Sequence, residues 1–319
     1  MTPATLTRKD FLSILDFDAL DLERCLERSA ELKAERRLAS RAPTAGTLSG
    51  RHVAMLFEKP SLRTRTTFEI AVRELGGEVV GLQPDVALGR REAVADVARN
   101  LERWVDAIVI RTFSQQVLED FAAGTKCLHV INALTDQEHP CQAVADFLTL
   151  QEKWGSVRGR TIAYVGDGNN VATSLAHAAA ILGVHLHVAS PEAYQLPHAV
   201  VRRSTTVARH GARLRLFGDP ADAVANADAV YTDTWTSMGQ EAEADVRRAV
   251  FGPYQVNEAL MARARPGALF MHCLPAHRGE EVTAEVFESA ASVVFDQAEN
   301  RLHVQKALLL MLLAPPFST

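Results

Sequence analysis

Apolar residues recur along this chain in two spacings. Phe11, Leu12, Leu15, Leu20, Leu22, Leu26 and Leu32 fall at roughly helical intervals among charges and predict helix across residues 9–40. From residue 52 onward, short apolar runs alternate with longer amphipathic stretches. In the first half the runs 52–57, 78–82, 107–110 and 128–131 read as strands. The stretches 61–75, 93–104, 116–122 and 142–151 read as helices, the first stopped by Gly76-Gly77. The segment 83–91 is polar and reads as a mobile loop, and 41–50, with Pro43, Gly46 and Gly50, reads as a loop. A Gly- and Arg-containing turn at 155–160 precedes a second round of alternation. There, strands are expected at 161–165, 185–189, 213–217, 229–232, 269–272 and 293–295, with helices at 169–182 and 300–313. Such alternation predicts an α/β fold of two domains, each a parallel sheet flanked by helices, divided at residues 1–152 and 153–319.

Composition narrows the function classes. The chain has 319 residues, 47% hydrophobic and 23% charged, which excludes a disordered, collagen-like or coiled-coil protein. Lys and Arg number 34 against 39 Asp and Glu, so no basic excess points to nucleic acid. The longest strongly apolar run, 307–314, is too short for a bilayer, and no membrane association is expected. Cys25, Cys127, Cys141 and Cys273 are too far apart for a zinc knuckle or a disulfide framework. Reduced thiols, no apolar leader, and Asp10, Asp16 and Asp18 near the start together suggest a cytoplasmic location.

The residues just after the strands are unusually polar, and ligands of parallel α/β sheets lie at the strands' carboxyl ends. After 52–57 comes Ser61-Leu62-Arg63-Thr64-Arg65-Thr66 at a helix start. Unpaired N–H groups, the positive dipole end, two hydroxyls and the Arg63 fork suit a phosphate. The plainer reading is a serine N-cap with solvated arginines, although arginines in a first turn oppose the helix dipole. Arg111 ends 107–110, where it meets either a ligand or a surface partner. In His139-Pro140-Cys141-Gln142, His139 suits a carbonyl oxygen and Gln142 an amide; the alternative is a loop histidine before a helix-starting proline.

In the second half, Gly166-Asp167-Gly168-Asn169-Asn170 follows 161–165. Val171 stands where a dinucleotide fingerprint has its third glycine, so NAD binding is not expected. The two asparagines suit a polar zwitterion or an N-cap. Asp233 opens Asp233-Thr234-Trp235-Thr236-Ser237-Met238-Gly239, and its carboxylate suits an ammonium group or simply a turn. His272-Cys273-Leu274-Pro275 offers a thiol that is either functional or an inert buried group. Glu299-Asn300-Arg301 is expected to place another arginine at the start of the last helix. The first half is thus cationic or amide-reading, and the second carries carboxamide, carboxylate, hydroxyl and thiol. That division suggests an anion held by the first domain and an amino compound by the second.

Phe57-Glu58-Lys59-Pro60-Ser61-Leu62-Arg63-Thr64-Arg65, His139-Pro140-Cys141-Gln142, Asp233 to Gly239 and Met271-His272-Cys273-Leu274-Pro275 together resemble the aspartate/ornithine carbamoyltransferase family, and the Ser-Met-Gly and His-Cys-Leu-Pro segments its ornithine branch. The resemblance runs from about residue 10 to 313. It implies transfer of a carbamoyl group from carbamoyl phosphate to the δ-amine of L-ornithine, giving L-citrulline and phosphate, without metal or organic cofactor. It also implies a homotrimer or a multiple of trimers, with the last helix packing back on the first domain. By position, Ser61, Leu62 (through its N–H), Arg63, Thr64, Arg111, His139, Gln142, Cys273, Leu274 and Arg301 resemble the carbamoyl phosphate site. Asn170, Asp233, Ser237 and Met238 (through its main chain) resemble the ornithine site. Arg63, Arg111, His139, Asp233 and Cys273 are the expected catalytic set.

One departure stands in Val86-Ala87-Leu88-Gly89-Arg90-Arg91-Glu92, which resembles the loop that reaches a neighbouring active site. The family usually has Gln where this chain has Ala87, leaving Gln83 or Arg90 as replacements. Rival readings are a transferase acting on putrescine, acetylornithine or aspartate, a non-catalytic anion sensor, and an NAD-dependent oxidoreductase.

Overall fold

The computed structural model describes residues 8–88, 92–237 and 239–314. Its packing forms two units, one made of the chain up to Leu148 together with the chain from Glu299, the other of Thr149–Ala298. Each has its own parallel sheet.

In the first unit, strands β1 (His52–Phe57), β2 (Glu78–Leu82), β3 (Ala107–Arg111) and β4 (His129–Leu134) pair in the order β2-β1-β3-β4. The central strand β3 is buried throughout, as expected where helices cover both faces of a sheet. Leu56, Ile108, Ile110, Val130 and Phe121 meet in its core. Helices Leu62–Glu74, Val94–Leu101 and Gln115–Gly124 connect the strands, and Pro140–Trp154 follows β4. The chain passes from β1 to β2 on one side and back to β3 on the other, so the strand order reverses between β1 and β3.

The second unit pairs β5 (Thr161–Val165), β6 (His185–Ala189), β7 (Leu214–Phe217), β8 (Ala229–Thr232) and β9 (Leu269–His272) in the order β7-β6-β5-β8-β9, all parallel. Its reversal falls between β5 and β8. The helix Asn170–Leu182 lies almost wholly buried and ends at Gly183, whose φ of 80° closes a left-handed cap. Among the described residues no helix is long and apolar enough to cross a membrane.

The structure departs from the sequence expectations in three places. The helical stretch 9–40 is broken. Ser13 and Asp16 close a capping box on a single turn, Ile14–Asp16, and Asp18 then caps the helix Ala19–Glu35 by accepting from Asp21 N. The segment 83–91 contains a short helix, Pro84–Ala87, and the Ala87 methyl is buried in the first core. Gly89, Arg90 and Arg91 lie outside the described residues.

The expected strand 293–295 does not form. Val294 and Phe295 instead begin the last helix, Val294–Leu313. A short apolar, β-branched run fits a strand or a buried helical turn equally well by periodicity. Arg301 consequently sits eight residues into this helix and not at its start.

Candidate functional site

The chemistry-bearing residues form one cluster in each unit, and both clusters lie where the strand order reverses, the crevice position of open parallel sheets.

In the first unit, Ser61 occupies the N-cap position of Leu62–Glu74, yet its side chain makes no capping hydrogen bond. The first-turn N–H groups therefore keep the anion-binding capacity that a capping serine would consume. Leu62 is exposed and contributes only backbone to this turn, while Thr64 is buried. Arg301 donates from Nη2 to Thr64 Oγ1, bringing the last helix to the start of this one.

Arg111 ends β3 and is 7% exposed. The turn after β1 fixes it there. Glu58 N donates to Arg111 O at 2.8 Å, and Thr112 Oγ1 donates to Glu58 Oε2. Lys59 is buried, donates to Asp136 Oδ1 at 2.6 Å and lies 3.9 Å from the centre of the Phe113 ring. Glu58, Lys59, Thr112 and Phe113 are supporting residues that the sequence reading passed over. The Phe57-Glu58-Lys59-Pro60 motif held the first two, but their partners follow another strand.

His139 is set by the turn before it. Thr135 N donates to Glu138 O at 2.9 Å, and Glu138 N donates back to Thr135 Oγ1 at 3.2 Å. Burial is the main cause that pushes the His139 ring well below its usual basicity, and Arg301, Arg111 and Arg63 add to it. The imidazole is therefore neutral and keeps one N–H to donate. Three arginines from three separate elements act on this one ring.

Gln142, one residue beyond Cys141 in Pro140–Trp154, donates from Nε2 to Asp146 Oδ1 at 2.8 Å. That bond fixes the amide, and Oε1 is left as a buried acceptor with no partner among the described residues. Asp146 is a positioning residue not singled out in the sequence, although its i,i+4 spacing from Gln142 was visible. Cys141 donates to Asn132 O at 3.3 Å, and burial pushes its thiol up to about 12. It is inert at neutral pH.

In the second unit, Asn169 decides between the two asparagines. It is the N-cap of Asn170–Leu182, accepting from Val171 N and Ala172 N. Its Nδ2 donates to Asp233 Oδ2 at 2.8 Å. Asp233 Oδ1 accepts from Thr234 N at 2.8 Å and from Cys273 Sγ at 2.9 Å. Asp233, at the end of β8, and Cys273, at the end of β9, are thus joined directly, and both are buried. Tyr164 donates to Asn169 Oδ1 at 3.3 Å, and burial raises its phenol well above 10, with Asp233, Asp167 and Cys273 adding to the rise. Asn170 opens the helix beside this cap and is half-buried.

Gly168 explains why the Gly-Asp-Gly sequence is needed without a dinucleotide. A Cβ there would lie 2.5 Å from Leu196 N, against backbone that cannot yield.

His272 has a defined tautomer. Leu274 N donates to its Nδ1 at 2.9 Å, so Nε2 carries the proton and donates to buried Glu281 Oε1 at 3.2 Å. His277 N donates to the same oxygen. This holds the turn after Cys273, where Leu274 has a φ of 61° and its peptide bond to Pro275 is cis.

Arg247 is the largest element the sequence reading missed. It is buried, donates to Asp167 Oδ2 and Trp235 O, each at 2.8 Å, and lies 4.8 Å from the centre of the Tyr194 ring. Burial raises the Asp167 carboxyl despite this partner. Trp235 leads into Ser237, whose N–H donates to Gln240 Oε1 at 3.1 Å. Met238 lies outside the described residues.

Among the described residues two groups of side chains bring metal-ligand atoms within 4.8 Å of one another: Asp233, His272 and Cys273, and His277, Glu280 and Glu281. In the first, both His272 nitrogens already have partners and the thiol donates to Asp233, so the set as arranged is a hydrogen-bond network.

A cluster suited to an anion in one parallel α/β unit and a carboxylate, carboxamide and thiol cluster in another fit a two-substrate transferase class. Comparison with known proteins narrows the class. Residues 9–152 match the aspartate/ornithine carbamoyltransferase carbamoyl-P binding domain, and residues 158–312 match the Asp/Orn binding domain of that family. The chain is 49% identical over 310 residues to an ornithine carbamoyltransferase of Anoxybacillus flavithermus, covering 97% of this chain and 98% of that one. It is 49% identical over 312 residues to one of Symbiobacterium thermophilum, covering 97% and 99%. The solved ornithine carbamoyltransferase of Pyrococcus furiosus superposes with a TM-score of 0.92 at 46% identity, covering 97% of this chain and 98% of that one. The chain belongs to the aspartate/ornithine carbamoyltransferase family.

Proposed function

We infer that the protein transfers the carbamoyl group of carbamoyl phosphate to the δ-amine of L-ornithine, giving L-citrulline and phosphate. The observation that carries the reading is the buried, neutral His139 with Arg63, Arg111 and Arg301 acting on it, in a chain whose full-length relatives are named ornithine carbamoyltransferase.

In this reading the N–H groups at Ser61, Leu62 and Thr64, with Arg63, Arg111 and Arg301, hold the phosphate. They stabilise negative charge as the carbamoyl C–O bond breaks. The remaining N–H of His139 donates to the carbamoyl oxygen. Gln142 Oε1, oriented by the bond from Nε2 to Asp146, accepts from the carbamoyl NH2.

Asp233, Asn170, Ser237 and the main chain of Met238 hold ornithine, with Cys273 and Leu274 beside both substrates. The attacking nitrogen must be neutral, whereas an unperturbed primary amine has a pKa of about 10.4. A carboxylate favours the ammonium form, so Asp233 orients the amine and does not make it neutral. The N–C bond forms, the C–O bond to phosphate breaks, and the nitrogen's proton leaves on the departing phosphate. Closure over the donor would protect it from water.

We place the domains of this reading at residues 1–152 for carbamoyl phosphate and 153–319 for ornithine, with the last helix belonging to the first. A homotrimer, or a multiple of it, in the cytoplasm is the proposed form, and arginine biosynthesis the proposed setting; a relative from Pyrococcus furiosus is named anabolic. The buried Ala87 methyl gives that position no polar group to offer a neighbouring subunit, which leaves Gln83 and Arg90 as the donors of any such contact.

Incubation of the protein with carbamoyl phosphate and L-ornithine tests the reading. Citrulline and phosphate should appear in equal amounts. Phosphate release without citrulline would overturn it.

A further inference from the structure

A cavity with a charged lining lies in the first unit, and none of its lining residues belongs to the His139 cluster. Its volume is about 740 Å3, within the range of small-molecule sites. Lys33, Arg36, Arg37, Arg73 and Lys306 line it, against two carboxylates, Glu74 and Glu299. Glu74 is already committed, accepting from Arg36 Nε at 3.0 Å and from Lys306 Nζ at 3.1 Å. Glu299 lies 3.7 Å from Lys33 Nζ. Among the described residues Arg73 reaches only Glu69, at 3.9 Å, and Arg37 makes no ion pair. The wall therefore keeps an excess of positive charge.

His303 also lines this cavity, and it is fully buried. Neither of its ring nitrogens has a hydrogen-bond partner among the described residues. The nearest carboxylate oxygen, Glu299 Oε1, is 3.8 Å from Nε2, beyond hydrogen-bond reach. Buried polar groups are nearly always paired, so an imidazole with two idle nitrogens beside a cationic wall marks a place for a ligand.

The loops are shaped to leave this room. Gly46 and Gly76 both have positive φ, and a Cβ on Gly76 would lie 2.6 Å from Gly46 Cα. Among the described residues no Phe, Tyr or Trp lines the cavity, so these offer no flat apolar face for an aromatic base to stack on.

We propose that this cavity binds a small phosphate-bearing polyanion without an aromatic base, at a site additional to the one for carbamoyl phosphate. Arg37 and Arg73 meet the anion from the rim, with His303 buried behind them in the wall. Two of the helices that line the cavity also carry Arg63, Thr64 and Arg301 of the His139 cluster. Leu62–Glu74 holds Thr64 near one end and Glu74 at the other, and Val294–Leu313 pairs with both through Arg301 and Lys306. The site is thus built into the elements that grip carbamoyl phosphate, the position a regulatory ligand would need.

Calorimetric titration of the full chain with inorganic pyrophosphate tests this. Two sites per chain are expected, one displaced by carbamoyl phosphate and one indifferent to it. The double variant Arg37→Glu/Arg73→Glu changes exposed residues only and should weaken the indifferent site at least about ten-fold, with citrulline formation unchanged when pyrophosphate is absent. His303→Phe should weaken the same site alone. A single site that carbamoyl phosphate displaces, or an indifferent site unaffected by either variant, would overturn the proposal. A single site lost in the double variant but insensitive to carbamoyl phosphate would uphold it and count instead against the assignment of the His139 cluster.

Discussion

Arg301 donates a hydrogen bond to Thr64 across 237 residues of sequence, and this bond unites the two helices that carry the proposed phosphate-binding residues Arg63, Thr64 and Arg301. Both residues are buried. Thr64→Val keeps the shape of the side chain and removes the acceptor. The guanidinium then loses a partner that holds it in place. The KM for carbamoyl phosphate should rise about ten-fold, the size of one charge-assisted hydrogen bond, while the KM for ornithine stays near its original value. Initial-rate kinetics with each substrate varied in turn check this.

Asp233 and Cys273 carry the opposite expectation. Asp233→Asn removes the charge but keeps a side chain that fits between Asn169, Thr234 N and Cys273. The kcat/KM for ornithine should fall by two to three orders of magnitude, about 3–4 kcal/mol, with carbamoyl phosphate binding retained. Equal loss for both substrates would remove Asp233 from the amine site.

Arg247 governs stability more than chemistry. Its guanidinium is buried between Asp167, Trp235 O and the Tyr194 ring. Arg247→Leu leaves the buried Asp167 carboxylate without its cation, and loss of one member of such a pair destabilises by about 3–5 kcal/mol. Urea unfolding of the variant should show this as a lower midpoint at unchanged slope.

Two buried histidines weaken the fold as pH falls. His139 and His303 are both lowered from an ordinary 6.5, chiefly by burial, His303 to about 4. Above pH 6.5 each is neutral in the folded and unfolded chain alike. As pH falls below 6.5 the unfolded chain takes up protons that the folded one refuses, so stability declines. For His303 that decline ends near pH 4; for His139 it continues toward its own depressed value. Each histidine contributes a slope of up to about 1.4 kcal/mol per pH unit. His303→Gln should flatten the fall of melting temperature between pH 6.5 and 4, as followed by calorimetry; an unchanged profile contradicts the assignment.

Much of this architecture can be read from the chain. The short apolar runs find the strands because β1, β3, β5 and β8 are nearly wholly buried, and the polar residues after them find both clusters because strand ends face the crevice. What escapes is the support. Arg247 and Asp167 are 80 residues apart, Lys59 and Asp136 are 77 apart, and no local spacing announces such pairs. Gln142 and Asp146 lie one helical turn apart, yet an apolar helix with one buried carboxylate reads as a core helix until its partner is seen. Val293-Val294-Phe295 misled through its β-branched composition: tertiary packing made Val294 and Phe295 part of the first turn of the last helix, and Arg301 moved from a helix start to its interior.

Amine selectivity tests the central claim most directly. Purified protein with carbamoyl phosphate is offered L-ornithine, putrescine, N-acetylornithine and L-aspartate in parallel, and carbamoylated product is measured. Turnover confined to L-ornithine is the predicted result. Turnover with any of the other three at a comparable rate would contradict it: the carbamoyl phosphate half would stand, and the reading of Asp233 to Gly239 as the ornithine site would fall.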